Sequence, residues 1–340
     1  MLKIVRVSIA LLALLLITVV SPIHAQTTFT AEELADPDGQ FIDIDGISIY
    51  YIERGDSTNP AVLLLHGFGG STFTWRDNMD AIADAGFHVI AFDRPPYGLA
   101  SKSTDIDYTP DYYAELTEKL MDAWGIDSAI LVGHSAGGGV IAHFALTYPD
   151  RVKALVFVAG AVPIEDNDVA STRIATPEAD SDSGDESPIG SLFSFASSLD
   201  PDTPLSKTLI HTLLTPERFT DILSGAYYDP SIVTDAVSAG YQRPLQMEGW
   251  ERAFLKLLTA RTANAGLTSD SLATISVPTL LIWGQEDTWV PLTAGEQLAA
   301  IIPGATLITY PEVGHLAMEE NTVQFNADLV AWLVGLAINA

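Results

Sequence analysis

Short apolar runs alternate with amphipathic stretches along most of the chain. Ala61–Leu65 has no polar position, as in a strand covered on both faces. His88–Phe92, Ser128–Val132, Lys153–Ala159, Thr279–Trp283 and Thr306–Thr309 are similarly short, mostly apolar runs and read as further strands. Phe41–Asp45 and Ile47–Ile52 flank Asp45-Gly46, a dipeptide suited to a tight hairpin turn. Between these runs the spacing predicts helices over Thr72–Ala85, Pro110–Trp124, Ala136–Tyr148, Leu292–Ile301 and Glu319–Leu336. Asp111 stands near the start of the second, and Pro149 stops the third. Buried strands separated by helices predict an α/β fold, a mostly parallel sheet flanked by helices.

The alternation breaks between about Val162 and Thr268, where helical and loop patterns replace strands. This stretch reads as a helical cap inserted into a single domain spanning 26–340. Within it, Thr176–Pro188 is dense in Asp, Glu, Ser and Pro and reads as a solvated loop, since it lacks the ligand spacing of a calcium-binding loop. Leu192, Phe193, Phe195, Leu209, Leu213, Leu214, Phe219, Ile222 and Leu223 supply apolar surface, part to pack the cap and part to face a cleft.

Composition changes the picture in three ways. A net charge of -28 over 340 residues repels phosphate backbones, so nucleic acid is not an expected partner. The absence of cysteine excludes disulfides, thiol nucleophiles and thiolate metal sites. At the start, Lys3 and Arg6 precede an apolar run from Val7 to Val20, broken by Ser21 and Pro22, with Ala25 ahead of Gln26. Residues 1–25 thus have the layout of a secretory signal peptide, the run being short for a membrane span. An uncleaved leader would instead anchor the protein in a membrane. Both readings export the remaining chain.

The strongest chemical signal is Gly133-His134-Ser135-Ala136-Gly137, a G-x-S-x-G sequence directly after one predicted strand and opening a predicted helix. A serine held on such a sharp turn is exposed for attack, and the helix start favours negative charge beside it. His66-Gly67-Phe68-Gly69-Gly70 follows another strand. Acyl transfer builds charge on a carbonyl oxygen that two backbone N–H groups can stabilise. Ala136, just after the serine, and Phe68, from the glycine-rich loop, are the candidate donors.

With these motifs the chain resembles the α/β-hydrolase superfamily over most of its length, nearest to its single-domain esterases, lipases and related hydrolases. Asp93-Arg94-Pro95-Pro96-Tyr97-Gly98 is similar to the family's turn after the fourth strand, with prolines where glycine is commoner. The resemblance implies an acid after the seventh strand, where Trp283-Gly284-Gln285-Glu286-Asp287 places Asp287, and a histidine after the last, where Val313-Gly314-His315 places His315. Glu286 is the adjacent rival for the acid, and Asp166 and Asp168 form a second rival pair. The implied set is Ser135 as nucleophile, His315 as base and Asp287 as the acid that orients it, in the chain order expected of the fold.

Serine at position 135 disfavours members of the superfamily that attack with aspartate. The expectation is a carboxylic-ester hydrolase forming an acyl-enzyme on neutral, moderately hydrophobic esters, without cofactor or metal. Cofactor-free haloperoxidases or perhydrolases and carbon–carbon bond hydrolases share the serine and remain alternatives. A ligand-binding module that has lost turnover is the reading from a different class. Phe68, His134 and Trp289 are candidates to line the substrate pocket.

Overall fold

The computed structural model describes residues 28–164, 196, 198–259 and 267–338. Eight strands form one sheet: β1 (Gln40–Ile44), β2 (Ile47–Arg54), β3 (Ala61–Leu65), β4 (His88–Phe92), β5 (Ala129–His134), β6 (Val152–Val158), β7 (Thr279–Gly284) and β8 (Thr306–Tyr310). Their order is β1-β2-β4-β3-β5-β6-β7-β8. β2 runs antiparallel to β1 and β4, and the remaining pairings are parallel. Every residue of β3, β4, β5 and β7 is buried, which explains their uninterrupted apolar runs.

Alternate side chains of each strand feed two cores. Leu63, Leu65, Ile90, Phe92, Leu131 and Phe157 face one. Val62, Leu64, Val89, Ala91, Val132 and Val156 face the other. Helices α2 (Pro110–Ala123), α3 (Ala136–Thr147) and α8 (Leu292–Ile301) cover the first through Leu116, Leu120, Ile141, Phe144 and Leu298. Helices α1 (Met79–Asp84) and α9 (Thr322–Ile338) cover the second through Met79, Ile82, Phe325, Leu329 and Leu333.

Helices α4 (Pro204–Leu213), α5 (Pro216–Ser224), α6 (Asp235–Gln242) and α7 (Trp250–Thr259) lie in the chain between β6 and β7. Among the described residues of that stretch there is no strand. Thr203, Thr215 and Thr234 cap α4, α5 and α6 by accepting from the third backbone N–H, and proline follows the first two, where its missing donor costs nothing. Leu223 and Tyr241 join the second core of the sheet, with Phe219 packed against it, whereas Ile210, Trp250 and Leu255 form a separate cluster. The segment before β1 reaches this stretch too: Asp36 receives the Arg243 guanidinium at 2.6 Å, and Phe29 N–H donates to Gln246 at 3.0 Å.

Two predicted helices are interrupted. Thr72–Ala85 is a 3-10 turn over Thr72–Trp75 followed by α1. Between them Asn78 is drawn wholly inside, where its amide donates to Met318 O at 3.0 Å and to Asn326 Oδ1 at 2.8 Å. Long-range bonds outweigh helix propensity there. The closing helix is likewise divided: a single turn, Ala317–Glu320, is set off from α9 at Asn321. The leader 1–25, the acidic loop Thr176–Pro188, the rival pair Asp166 and Asp168, and Leu192, Phe193 and Phe195 lie outside the described residues.

Candidate active site

The parallel register brings the chemistry to one edge. Leu65, the end of β3, pairs with Phe92 of β4 on one side and Gly133 of β5 on the other. His134 pairs with Val158, and Val158 with Ile282. The loops that follow β3, β5, β7 and β8 therefore share the carboxyl edge of the sheet, where open α/β sheets place their ligands.

Ser135 caps α3 with φ 49° and ψ −122°, a left-handed backbone that costs a non-glycine residue on the order of 1–3 kcal/mol. Neighbouring bonds hold it there. Its N–H donates to Val158 at 3.0 Å, and its carbonyl accepts from Gly138 and Ala161, both at 2.8 Å. Two glycines make the turn possible by close approach. A Cβ on Gly133 would sit 2.5 Å from Gly137 O, and one on Gly137 would sit 2.5 Å from Leu65 O. Ala136 begins α3, so its N–H has no intrahelical acceptor, and among the described residues no other acceptor meets it.

Gly67 lies against this turn: a Cβ there would be 2.9 Å from both Ser135 Cβ and His134 Nδ1. The loop's conformation is set from below. His66 is fully buried, its Nδ1–H donates to Gly67 O at 2.7 Å, and its Nε2 accepts the Arg94 N–H at 3.1 Å. These partners fix the Nδ1–H tautomer, and burial, followed by the nearby Arg94 charge, holds the imidazole well below the usual histidine range. The Arg94 guanidinium, also buried, donates to His66 O and lies over the ring of Tyr113. Phe68 emerges from the loop half-buried, 5.7 Å from the Tyr97 ring and 6.0 Å from Phe254 of α7.

His315 and Asp287 are brought together. His315 Nδ1 lies 2.8 Å from Asp287 Oδ2, and both residues are buried. The other carboxylate oxygen accepts from the N–H groups of Trp289 at 2.8 Å and Val290 at 2.9 Å. Trp283 of β7 closes the loop by donating to Val290 O at 2.8 Å. Glu286, the rival acid, accepts from Val313 N–H at 3.1 Å and thereby ties this loop to the one carrying His315. The His134 ring lies against His315, with centroids 4.8 Å apart and planes inclined at 51°, and reaches its carbonyl through Nε2 at 3.2 Å. Burial first, and His315 next, hold His134 well below the usual range, so it is a neutral donor. The Trp289 ring lies 5.4 Å from that of His315. Among the described residues no cluster of three His, Asp or Glu is arranged to hold a metal.

Sequence reasoning passes over Phe254 and the structural roles of Arg94 and Tyr97. Arg94 and Tyr97 stand in a turn with a recognisable motif, but their partners are fixed only in three dimensions. Phe254 is separated by 186 residues from Phe68 (254 − 68). Its sole sequence signal is the Trp250–Phe254 spacing, which places two aromatics on one helix face.

Comparisons with known proteins agree with this architecture. The family model described as the alpha/beta hydrolase fold matches residues 60–322. A 2-hydroxy-6-oxononadienedioate/2-hydroxy-6-oxononatrienedioate hydrolase of Burkholderia vietnamiensis is 28% identical, over 84% of this chain and 91% of that one. Lipase 3 of a Moraxella species is 28% identical, over 86% and 82%. A meta-cleavage product hydrolase from Pseudomonas fluorescens superposes with a TM-score of 0.69 at 24% identity, covering 87% of this chain and 98% of that one. A mostly parallel sheet, a serine on the turn after its fifth strand and a family match over residues 60–322 lead to one conclusion: the chain belongs to the alpha/beta hydrolase family.

Proposed function

We propose that this hydrolase cleaves neutral, moderately hydrophobic carboxylic esters through an acyl-enzyme. The observation that carries the reading is the 2.8 Å bond between His315 Nδ1 and buried Asp287, on the sheet edge that also bears Ser135. With Nδ1 engaged, His315 Nε2 is the nitrogen left to take the serine proton. Ser135 Oγ then attacks the ester carbonyl, and the N–H groups of Ala136 and Phe68 receive the developing oxyanion. His315 returns the proton to the leaving alcohol as the C–O bond breaks. It next deprotonates water, whose attack releases the acid and restores Ser135. The proposed steps call on no cofactor.

Among the described residues, Tyr97 and Phe254 lie against Phe68 and Trp289 lies against His315, and these aromatic groups suit an acyl or aryl group. The lipase relative supports the ester reading. The 2-hydroxy-6-oxo-dioate hydrolase relative favours a second one, carbon–carbon bond cleavage by the same serine. That relative's substrate is by its name a dicarboxylate, whereas these four aromatic side chains suit an uncharged group, which is the ground for putting the neutral ester first. We also propose that the described domain is a helically capped enzyme acting outside the cytoplasm, on the strength of the leader-like residues 1–25.

A fluorophosphonate probe and a series of p-nitrophenyl esters test the main reading. An adduct on Ser135 with kcat/KM rising to a medium-chain optimum is expected. No adduct in folded protein would point to a ligand-binding module. Normal labelling with negligible ester turnover and hydrolysis of a 2-hydroxy-6-oxo-dienoate would replace the ester reading with the carbon–carbon one. For export, mass spectrometry of the protein from its native host should find an N-terminus at or near Gln26. An intact Met1 in the membrane fraction would refute cleavage and support the anchored form.

A further inference from the structure

Four residues beyond His315, a buried carboxylate gathers three separate parts of the chain. Glu319 is 8% exposed. Its Oε2 receives the Arg76 guanidinium at 2.6 Å and the Tyr227 hydroxyl at 2.8 Å, and its Oε1 receives the Tyr241 hydroxyl. Arg76 follows the turn after β3, and Tyr227 and Tyr241 belong to the helical stretch between β6 and β7. Burial, more than any neighbour, raises both phenols above the usual tyrosine range, so their protons stay available to donate.

The residue before Tyr227 makes the second half of the link. His315 donates its backbone N–H to Ala226 O at 2.8 Å. Glu319 N–H bonds back to Leu316 at 2.8 Å, and Met318 O is held by Asn78. A closed circuit results: His315 to Ala226 through the backbone, Tyr227 to Glu319 through side chains, and Glu319 back to His315 through one helical turn. Glu320 reinforces it by accepting the N–H of Tyr228 at 2.7 Å and of Gly314 at 2.9 Å. The backbone under the His315 imidazole thus takes its position from residues 226–228 of the insertion.

We propose that Glu319 is a positioning residue that couples the seating of the helical insertion to the alignment of His315 with Ser135. The proposal rests on the serine-hydrolase reading above, and its failure is distinguishable from that reading's failure because wild-type labelling is measured first. In an attack geometry, a misplacement of about 1 Å is enough to cost on the order of a hundredfold in rate. A carboxylate that only stabilised the fold would lower the fraction of active protein without slowing each active molecule.

The test compares wild type, Glu319→Gln, Tyr227→Phe and, as a control with a half-buried arginine partner elsewhere, Glu118→Gln. Sites are titrated with a fluorophosphonate, and the inactivation rate is followed to probe saturation. Peptide-level hydrogen exchange is followed alongside. Glu319→Gln is expected to slow the saturating rate per titratable site by about 10- to 100-fold, with the half-saturating probe concentration shifted by less than about twofold. Protection should fall together in residues 226–229 and 313–321. Tyr227→Phe should show the same pattern at smaller size and carries the test if Glu319→Gln does not fold. Glu118→Gln should match wild type. Wild-type saturating rates in the folded Glu319 or Tyr227 variant, an effect confined to half-saturation, or exchange changing in only one of the two segments would overturn the coupling.

Discussion

Replacing Asp287 by asparagine is the sharpest probe of the site, because the structure dictates how the amide must lie. Asp287 Oδ1 accepts two backbone N–H groups, from Trp289 at 2.8 Å and Val290 at 2.9 Å. An amide nitrogen placed there would face two donors and lose two hydrogen bonds, about 1 kcal/mol each before the cost of unpaired buried groups. The amide oxygen therefore keeps that side, and the amide NH2 replaces the carboxylate oxygen that meets His315 Nδ1 at 2.8 Å. A donor at that place forces Nδ1 to accept, which puts the imidazole proton on Nε2, the nitrogen that in the proposed mechanism takes the proton from Ser135. The change keeps volume and backbone bonds yet supplies the wrong tautomer. In a serine protease the equivalent change costs about 10⁴ in turnover, equivalent to about 5.4 kcal/mol of transition-state stabilisation. We expect a comparable loss in kcat for p-nitrophenyl butyrate, with the urea midpoint close to wild type. Glu286→Gln, whose carbonyl oxygen can still accept from Val313 N–H, should stay within about tenfold of wild type. Asp287→Asn within tenfold of wild type, or Glu286→Gln as the more damaging change, would refute the reasoning.

Other outcomes are expected on the same grounds. His66 and His134 are neutral in the folded state and ordinary histidines when unfolded, so the unfolded chain binds more protons below about pH 6.5. Stability is then full above that pH and falls as pH drops, by up to about 1.4 kcal/mol per histidine per pH unit; His66→Gln should flatten the slope of urea unfolding between pH 7.5 and 5, and an unchanged slope would refute this. Gly137→Ala puts a Cβ 2.5 Å from Leu65 O and should cost about 1–3 kcal/mol in urea unfolding along with most labelling of Ser135. A fully active, equally stable variant would contradict the close packing of that turn. Phe254→Ala removes the ring facing Phe68 and should raise KM for longer acyl chains more than for acetate, and uniform effects across the series would place Phe254 outside the pocket.

The strands were legible because parallel pairing buries both faces, and an uninterrupted apolar run such as Ala61–Leu65 is too short to be a buried helix. The placement of Ser135, Asp287 and His315 on loops at strand ends was legible for a related reason: strand ends can be read locally. What escaped depends on distant partners. Asn78 breaks a predicted helix because of Met318 and Asn326, more than two hundred residues away. Glu319 looks like a surface carboxylate on an amphipathic turn until Arg76, Tyr227 and Tyr241 are brought to it. Glu286 and Asp287 are adjacent carboxylates that only the folded chain separates, one side chain meeting Val313 N–H and the other His315.

The strand order also bears on how the molecule comes into being. From β5 onward each new strand is laid against the one just made, β6 on β5, β7 on β6 and β8 on β7. During synthesis from the amino terminus the sheet grows in one direction, always with one freshly exposed edge. Among the described residues the backbone bonds of Ser135 reach only as far as Ala161, so that part of the turn can form once β6 has been added, whereas the His134 ring meets its partner only when His315 arrives. Asp287 arrives after β7 and His315 after β8. On the proposed mechanism a chain released early therefore carries the serine turn with no base to activate it. On that mechanism, premature termination yields an inert protein with an unpaired strand, a hazard for clumping and not for stray hydrolysis.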